Sequence, residues 1–168
     1  MPEQKRKQVV PSIGLRRTAS QRPSLRLQWP RTSSAKRLLA AKGRLQNILQ
    51  LLWKEYRQPA AEVEVNFVDE VTICRLHQEF FDDASPTDII TFDLGLAPDA
   101  TRRAALCICV EAALGHAARY RISPEVEIQR LVIHGVLHLL GYDDQSPAQR
   151  RRMRRRERQV MALVANKE

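Results

Sequence analysis

With 168 residues, 43% of them hydrophobic, the chain has material for a single core and an extension. No apolar run reaches the roughly 18 residues of a membrane-spanning helix, and Cys74, Cys107 and Cys109, an odd number with no C-x-x-C pair, read as reduced structural thiols in a cytoplasm-like compartment. The formal charge of +9 comes from one end: residues 1–50 carry 12 Lys+Arg against Glu3 alone, a net of +11, whereas residues 51–168 carry 16 against 18 acids, a net of −2.

Residues 1–23 are basic, hold Pro2, Pro11 and Pro23, and have the composition of a disordered tail that touches RNA. An organellar transit peptide is the alternative for so acid-poor a segment, although its prolines oppose the amphipathic helix such peptides form. Residues 24–168 read as one domain. Leu25, Leu27 and Trp29 alternate with Arg26 and Gln28 as a short strand stopped by Pro30. Ser33 or Ser34 caps a helix whose stripe is Leu38, Leu45, Ile48, Leu49, Leu52, Trp53 and Tyr56, closed by Pro59. Glu62 to Val68 alternate strictly, as a half-buried strand does. Asp69 caps a short helix striped by Ile73, Leu76, His77 and Phe80, with His77 a partly buried helix residue. Asp82 to Pro86 form a turn, Thr87 to Asp93 a strand, and residues 94–104 a loop. Leu106, Ile108 and Val110 mark a strand that puts Cys107 and Cys109 together on its other face. Glu111 to Arg121 make a helix with His116 exposed; Ser123-Pro124 starts the next one, and Ser146-x-x-Gln149 is a capping box for a last helix to about Ala165. There Met153, Val160, Met161 and Val164 face inward and the arginines outward. The expected fold class is α+β, a small mixed sheet of about four strands packed with about five helices.

The stretch His134 to Asp144, HGVLHLLGYDD, is the one that core packing alone does not require. Positions i and i+4 of a helix share a face, so His134 and His138 present two imidazoles to one point. Gly141 can take the left-handed conformation that ends the helix, and the turn through Tyr142, Asp143 and Asp144 can return a carboxylate to the same point. Two neutral imidazoles and a carboxylate form the protein ligand set of a catalytic zinc site. Glycine at position 135 removes the general base that follows the first histidine in H-E-x-x-H metalloproteases, which disfavours a peptidase of that kind.

HGVLHLLGYDD resembles the signature of the YbeY endoribonucleases, H-G-x-L-H-L-x-G-Y-D-H, and Pro86-Thr87-Asp88-Ile89-Ile90-Thr91-Phe92 resembles the family's P-T-D-V-L-S-F, over roughly residues 24–165. The resemblance implies a zinc-dependent single-strand endoribonuclease of rRNA (16S 3′-end) maturation and ribosome quality control, cytoplasmic, with rRNA and the small subunit as partners. His134, His138 and Asp144 would be the metal ligands, one Zn2+ per chain. Such an ion acidifies a water in its fourth position and polarises a phosphoryl oxygen. Asp144 stands where the family commonly has histidine, Phe81 where it has arginine, His77 where it has asparagine, and Ala104-Ala105 where it often has Gly-Asp. Asp143 is a candidate to orient a ligand imidazole, or else a turn-forming aspartate. Arg150, Arg151, Arg154, Arg155 and Arg158 are candidate RNA contacts. The rival expectation is a non-catalytic ribosome- or RNA-binding factor with a structural zinc, which Phe81 favours and a three-ligand site disfavours.

Overall fold

Strict alternation in Ala61–Val68 buries Ala61, Val63, Val65 and Phe67 on one face and leaves Glu62, Glu64 and Asn66 half-buried on the other. In this computed structural model, which describes residues 23–28, 42–56 and 61–165, that segment is strand β2. The expectations placed on residues 1–22, Trp29, Pro30, Ser33, Ser34, Leu38 and Pro59 fall outside the described residues. With β1 (Ser24–Gln28), β3 (Ile89–Leu96) and β4 (Arg102–Cys109), β2 forms a four-stranded mixed sheet of order β1-β2-β4-β3. The β1–β2 and β2–β4 pairs are parallel and β3–β4 is antiparallel.

Five helices are described: α1 (Lys42–Glu55), α2 (Glu70–Phe81), α3 (Val110–Tyr120), α4 (Pro124–Leu139) and α5 (Pro147–Ala165). The chain is therefore α+β, as its pattern predicts. Asp69 caps α2 by accepting from Thr72 N at 2.8 Å, Ser123 caps α4 by accepting from Val126 N, and the Ser146–Gln149 box closes in both directions at 2.7 and 3.2 Å.

Helix α4 is apolar almost all round and is buried accordingly. Leu131, Val132, Ile133, Val136 and Leu137 are inaccessible, packed with β2 and β4 side chains, Leu45 to Trp53 of α1, and Met153 and Val160 of α5 in one core. Full burial of each such side chain is worth about 1.5–3 kcal/mol. Gly135 faces the sheet: a Cβ there would lie 2.8 Å from Leu106 Cδ2, 2.9 Å from Thr91 Oγ1 and 3.1 Å from Ile89 Cδ1. Only glycine lets α4 approach β3 and β4 this closely, so this position has a packing reason of its own. A second, smaller core on the other face of the sheet joins Ile73 of α2 to Ile90, Phe92, Cys107 and Cys109.

Three expectations are corrected. Strand β3 runs on to Leu96 and β4 begins at Arg102, so the loop of residues 94–104 shrinks to 97–101. Gly95 is not in that loop; at φ +79° it sits where the β3–β4 register shifts between Asp93 and Leu96, a bulge that only glycine takes without strain. Val110 starts α3 rather than ending β4. Phe80 is 53% exposed, its ring edge-on to Phe92 at 4.9 Å, and the half-buried neighbour Phe81 packs into the second core in its place.

Candidate metal centre

Helix α4 ends as the sequence suggests. Gly141 takes φ +89°, and Gly141 N and Tyr142 N donate to His138 O and Leu137 O, each at 3.0 Å. This turn sends the chain back past the last helical turn. One ligand-type atom from each of His134, His138 and Asp144 then lies within 4.8 Å of the others. The His134 and His138 Nε2 atoms are 3.0 Å apart, and Asp144 Oδ2 is 3.8 Å from His134 Nε2.

The other nitrogen of each imidazole is fixed. His134 Nδ1 lies 2.6 Å from Glu157 Oε1 on α5, and His138 Nδ1 lies 3.1 Å from the Tyr142 carbonyl. Burial pushes the Glu157 carboxyl up, but the His134 hydrogen bond and the charges of Arg130 and Arg154 outweigh it and hold the group below its ordinary value. Glu157 is thus an ionised acceptor and Tyr142 O can only accept, so both imidazoles carry their proton on Nδ1. Two Nε2 lone pairs are left pointing at each other across 3.0 Å. A shared proton is a poor solution, because burial, reinforced by the His134 imidazole, holds His138 below the usual histidine range. A cation satisfies both lone pairs and the Asp144 carboxylate. Two nitrogens at about 2.0–2.1 Å from a tetrahedral zinc lie about 3.3 Å apart, close to the 3.0 Å between the imidazoles, so the donor set fits zinc in chemistry and the two histidines fit it in span, with Asp144 Oδ2 somewhat wider at 3.8 Å.

The orienting role considered for Asp143 falls instead to Glu157 and the Tyr142 carbonyl. Asp143 shapes the turn: Oδ1 accepts from Asp144 N at 2.8 Å and Oδ2 from Gln149 Nε2 at 3.3 Å. Arg150 donates to the carbonyls of Asp144 (3.0 Å) and Gln145 (2.7 Å), which steadies the segment carrying the carboxylate. Arg151, Arg154, Arg155 and Arg158 stand exposed on α5. His77 is a buried structural residue, bonded through Nδ1 to Ser85 O at 2.8 Å. His116 is only half-exposed, its Nδ1 2.9 Å from Glu127 Oε1.

Two features escaped the sequence. Glu157 is the sole acid of α5, and it falls on the apolar stripe with Met153 and Val160; an acid on a buried stripe is the signal that could have found it. Arg130 lies one turn before His134 on the same face of α4. It clasps the fully buried Glu127 at 2.6 and 3.0 Å and reaches Asp88 Oδ2 at 3.5 Å, tying the entrance of β3 to the motif helix.

The fold and this cluster define a small α+β protein with a His-His-Asp cluster of metal-ligating type at the end of its central helix. The family model described as Endoribonuclease YbeY matches residues 32–165, and the chain belongs to that family. It is 37% identical over 123 residues to the endoribonuclease YbeY of Chloroflexus aurantiacus, covering 68% of this chain and 80% of that one. It is 34% identical over 99 residues to the Protochlamydia amoebophila protein of the same name, covering 58% and 65%. Among solved structures it is similar to the solution structure of TM1509 from Thermotoga maritima, with a TM-score of 0.57 and 26% identity over 86% of this chain and 91% of that one.

Proposed function

We propose that the chain is a zinc-dependent endoribonuclease that hydrolyses single-stranded RNA, acting in 16S rRNA 3′-end maturation and ribosome quality control. The observation that carries the metal is the pair of facing Nε2 atoms, 3.0 Å apart, with both Nδ1 positions already used and Asp144 beside them. The observation that carries the substrate is membership of a family whose curated members are called endoribonucleases. Zinc bound there would supply Lewis acidity towards water and a phosphoryl oxygen. The chain's own residues do the rest. Glu157 and the Tyr142 carbonyl hold both imidazoles in the tautomer that offers Nε2. Asp144, its side chain 44% exposed, forms the open side from which a substrate enters. The described residues supply three donors, one fewer than a closed structural site takes, which favours chemistry over scaffolding. Residues 24–168 form the single domain of this reading, which works in the cytoplasm on the small subunit, with the basic residues 1–23 as an RNA-touching extension.

The second reading, an RNA-binding factor that does not cut, is favoured by Phe81, where the family's arginine is replaced by a ring packed against the second core. Metal analysis beside an rRNA cleavage assay separates the two. Wild type should hold one zinc per chain and cut; His134→Ala should lose cutting while keeping most RNA affinity, since phosphate contacts by Arg and Lys dominate binding. Because metal loss can unfold a domain, the melting curve is recorded alongside. A folded, zinc-loaded wild type that binds rRNA and never cuts it decides for the binding factor.

A further inference from the structure

Helix α5 carries seven arginines between positions 150 and 158, and two of them have fixed tasks. Arg150 binds the Asp144 and Gln145 carbonyls, and Arg156 pairs with Glu55 and donates to Tyr56 Oη. Arg151, Arg152, Arg155 and Arg158 are exposed and have no acidic side chain within ion-pair distance among the described residues. Arg151, Arg155 and Arg158 follow one another one helical turn apart, a spacing at which like charges repel and weaken a helix. The first turn of α5 has no acid to offset its dipole, and the sole acid, Glu157, is turned inward to His134. A face that is merely solvated gains from mixed signs; this one is uniformly positive and held in place by the apolar stripe behind it.

With Arg154 and Ala148, these arginines border an open hollow of about 580 Å³ on the outer face of α5. A second hollow of about 180 Å³ continues it and is lined by Arg152, Arg155 and Tyr142 among others. Arg152 lies 4.8 Å over the Tyr142 ring, and Tyr142 is also the residue whose carbonyl holds His138. Both hollows follow α5, and at the start of that helix Arg150 binds the carbonyl of Asp144, one of the three clustered ligand-type residues. Arginine forks grip phosphate with two parallel hydrogen bonds.

We propose that this arginine groove is the track for a single RNA strand. Successive phosphates lie on Arg158, Arg155 and Arg151, leading towards the start of α5, where Arg150 binds the Asp144 carbonyl. This deepens the ribonuclease reading and rests on it for the choice of RNA. Bound phosphates would relieve the repulsion along α5, so RNA should stabilise the helix that grips it.

The test is binding of a single-stranded RNA oligomer to the full-length chain across salt concentration, with the RNA checked for integrity afterwards. In the triple variant Arg151→Gln/Arg155→Gln/Arg158→Gln, loss of three phosphate contacts should lower the slope of log affinity against log salt by about 2. Raising salt fourfold should then shrink the wild-type advantage by roughly 16-fold, since the slope difference is about 2. The Arg→Lys triple should keep the wild-type slope. Without RNA the Gln triple should melt no lower than wild type, and RNA should raise its melting temperature less. Unchanged affinity and slope in the Gln triple overturn the proposal. So does tighter binding to phosphatidylserine vesicles than to RNA, which would make the face a membrane surface. A wild type that binds through these arginines but does not cut upholds the groove and counts against the ribonuclease reading, so the two fail separately.

Discussion

Glu157→Gln tests the metal centre through a residue that touches no metal. The substitution keeps size and shape but removes the negative charge 2.6 Å from His134 Nδ1. Both side chains are shielded, at 16% and 10% exposure, so solvent does little to replace what is lost. A hydrogen bond to an ionised group is worth about 1.5–3 kcal/mol and a neutral one about 0.5–1.5. The difference, about 1–1.5 kcal/mol, corresponds to roughly a tenfold loss of zinc affinity, at the low end of the roughly 10–100-fold seen for such outer partners. A glutamine can also turn its amide nitrogen to His134, select the other tautomer and place a proton on Nε2, which pushes the loss upward. Glu157→Ala leaves Nδ1–H without a partner and should lose more than Glu157→Gln. The assay is competition for zinc against a chromophoric chelator, with circular dichroism showing that α5 is retained. Zinc affinity in Glu157→Gln equal to wild type would refute the claim that Glu157 fixes the ligand tautomer.

Gly135→Ala should destabilise the fold by about 1 kcal/mol: overpacking against Leu106 and Thr91 costs about 1–3 kcal/mol, partly offset by the roughly 1 kcal/mol that alanine gains over glycine in a helix. Urea unfolding measures it, and a variant as stable as wild type would mean that α4 can move off the sheet freely. Asp144→His should retain one zinc per chain, with stability changed by less than about 0.5 kcal/mol at so open a position; metal content near zero would show that Asp144 is no ligand. Burial and the charge of Glu64 push the Cys107 thiol up to about 11, so at pH 8 it should resist alkylation until the protein unfolds; ready labelling of the native chain would contradict this. Removal of residues 1–23 should leave the melting curve unchanged and flatten the salt dependence of RNA binding, and equal slopes would exclude an RNA-contacting tail.

What could be read from the sequence was whatever local geometry dictates. The spacing of His134 and His138, the glycine stop at 141 and the caps at Asp69, Ser123 and Ser146 each depend on residues within four positions, and each appears as expected. Glu157 lies 23 residues from His134, and only the packing of α5 on α4 joins them. Its charge is also masked in the sequence by the arginines on either side. The β3–β4 connection departs from the local pattern for a similar reason. Gly95 signals a break when read locally, but pairing with β4 resumes at Leu96, and the buried Asp93 anchors the bulge by accepting from Gly95 N at 3.1 Å and pairing with Arg102 at 2.6 Å.

Phe81 is held by apolar packing. It packs with His77 and Phe92, ring centroids 5.6 and 6.4 Å away, in the core on the face of the sheet away from α4. A guanidinium placed there would meet apolar rings and would have to bend outward to reach water. Phe81→Arg alone therefore disturbs packing before it can add charge to the metal centre. Positive charge near the centre comes from elsewhere. Arg130 is matched by Glu127 and Asp88, so its charge is largely spent within the fold. Among the described residues Arg150 is bound only to carbonyl oxygens, and Arg154 acts on Glu157 through space without an ion pair. The charge left free beside the histidines thus belongs to α5, the helix whose inner face supplies Glu157. A single helix thus supplies the buried partner of His134 on its inner face and carries the exposed, unpaired arginines on its outer face.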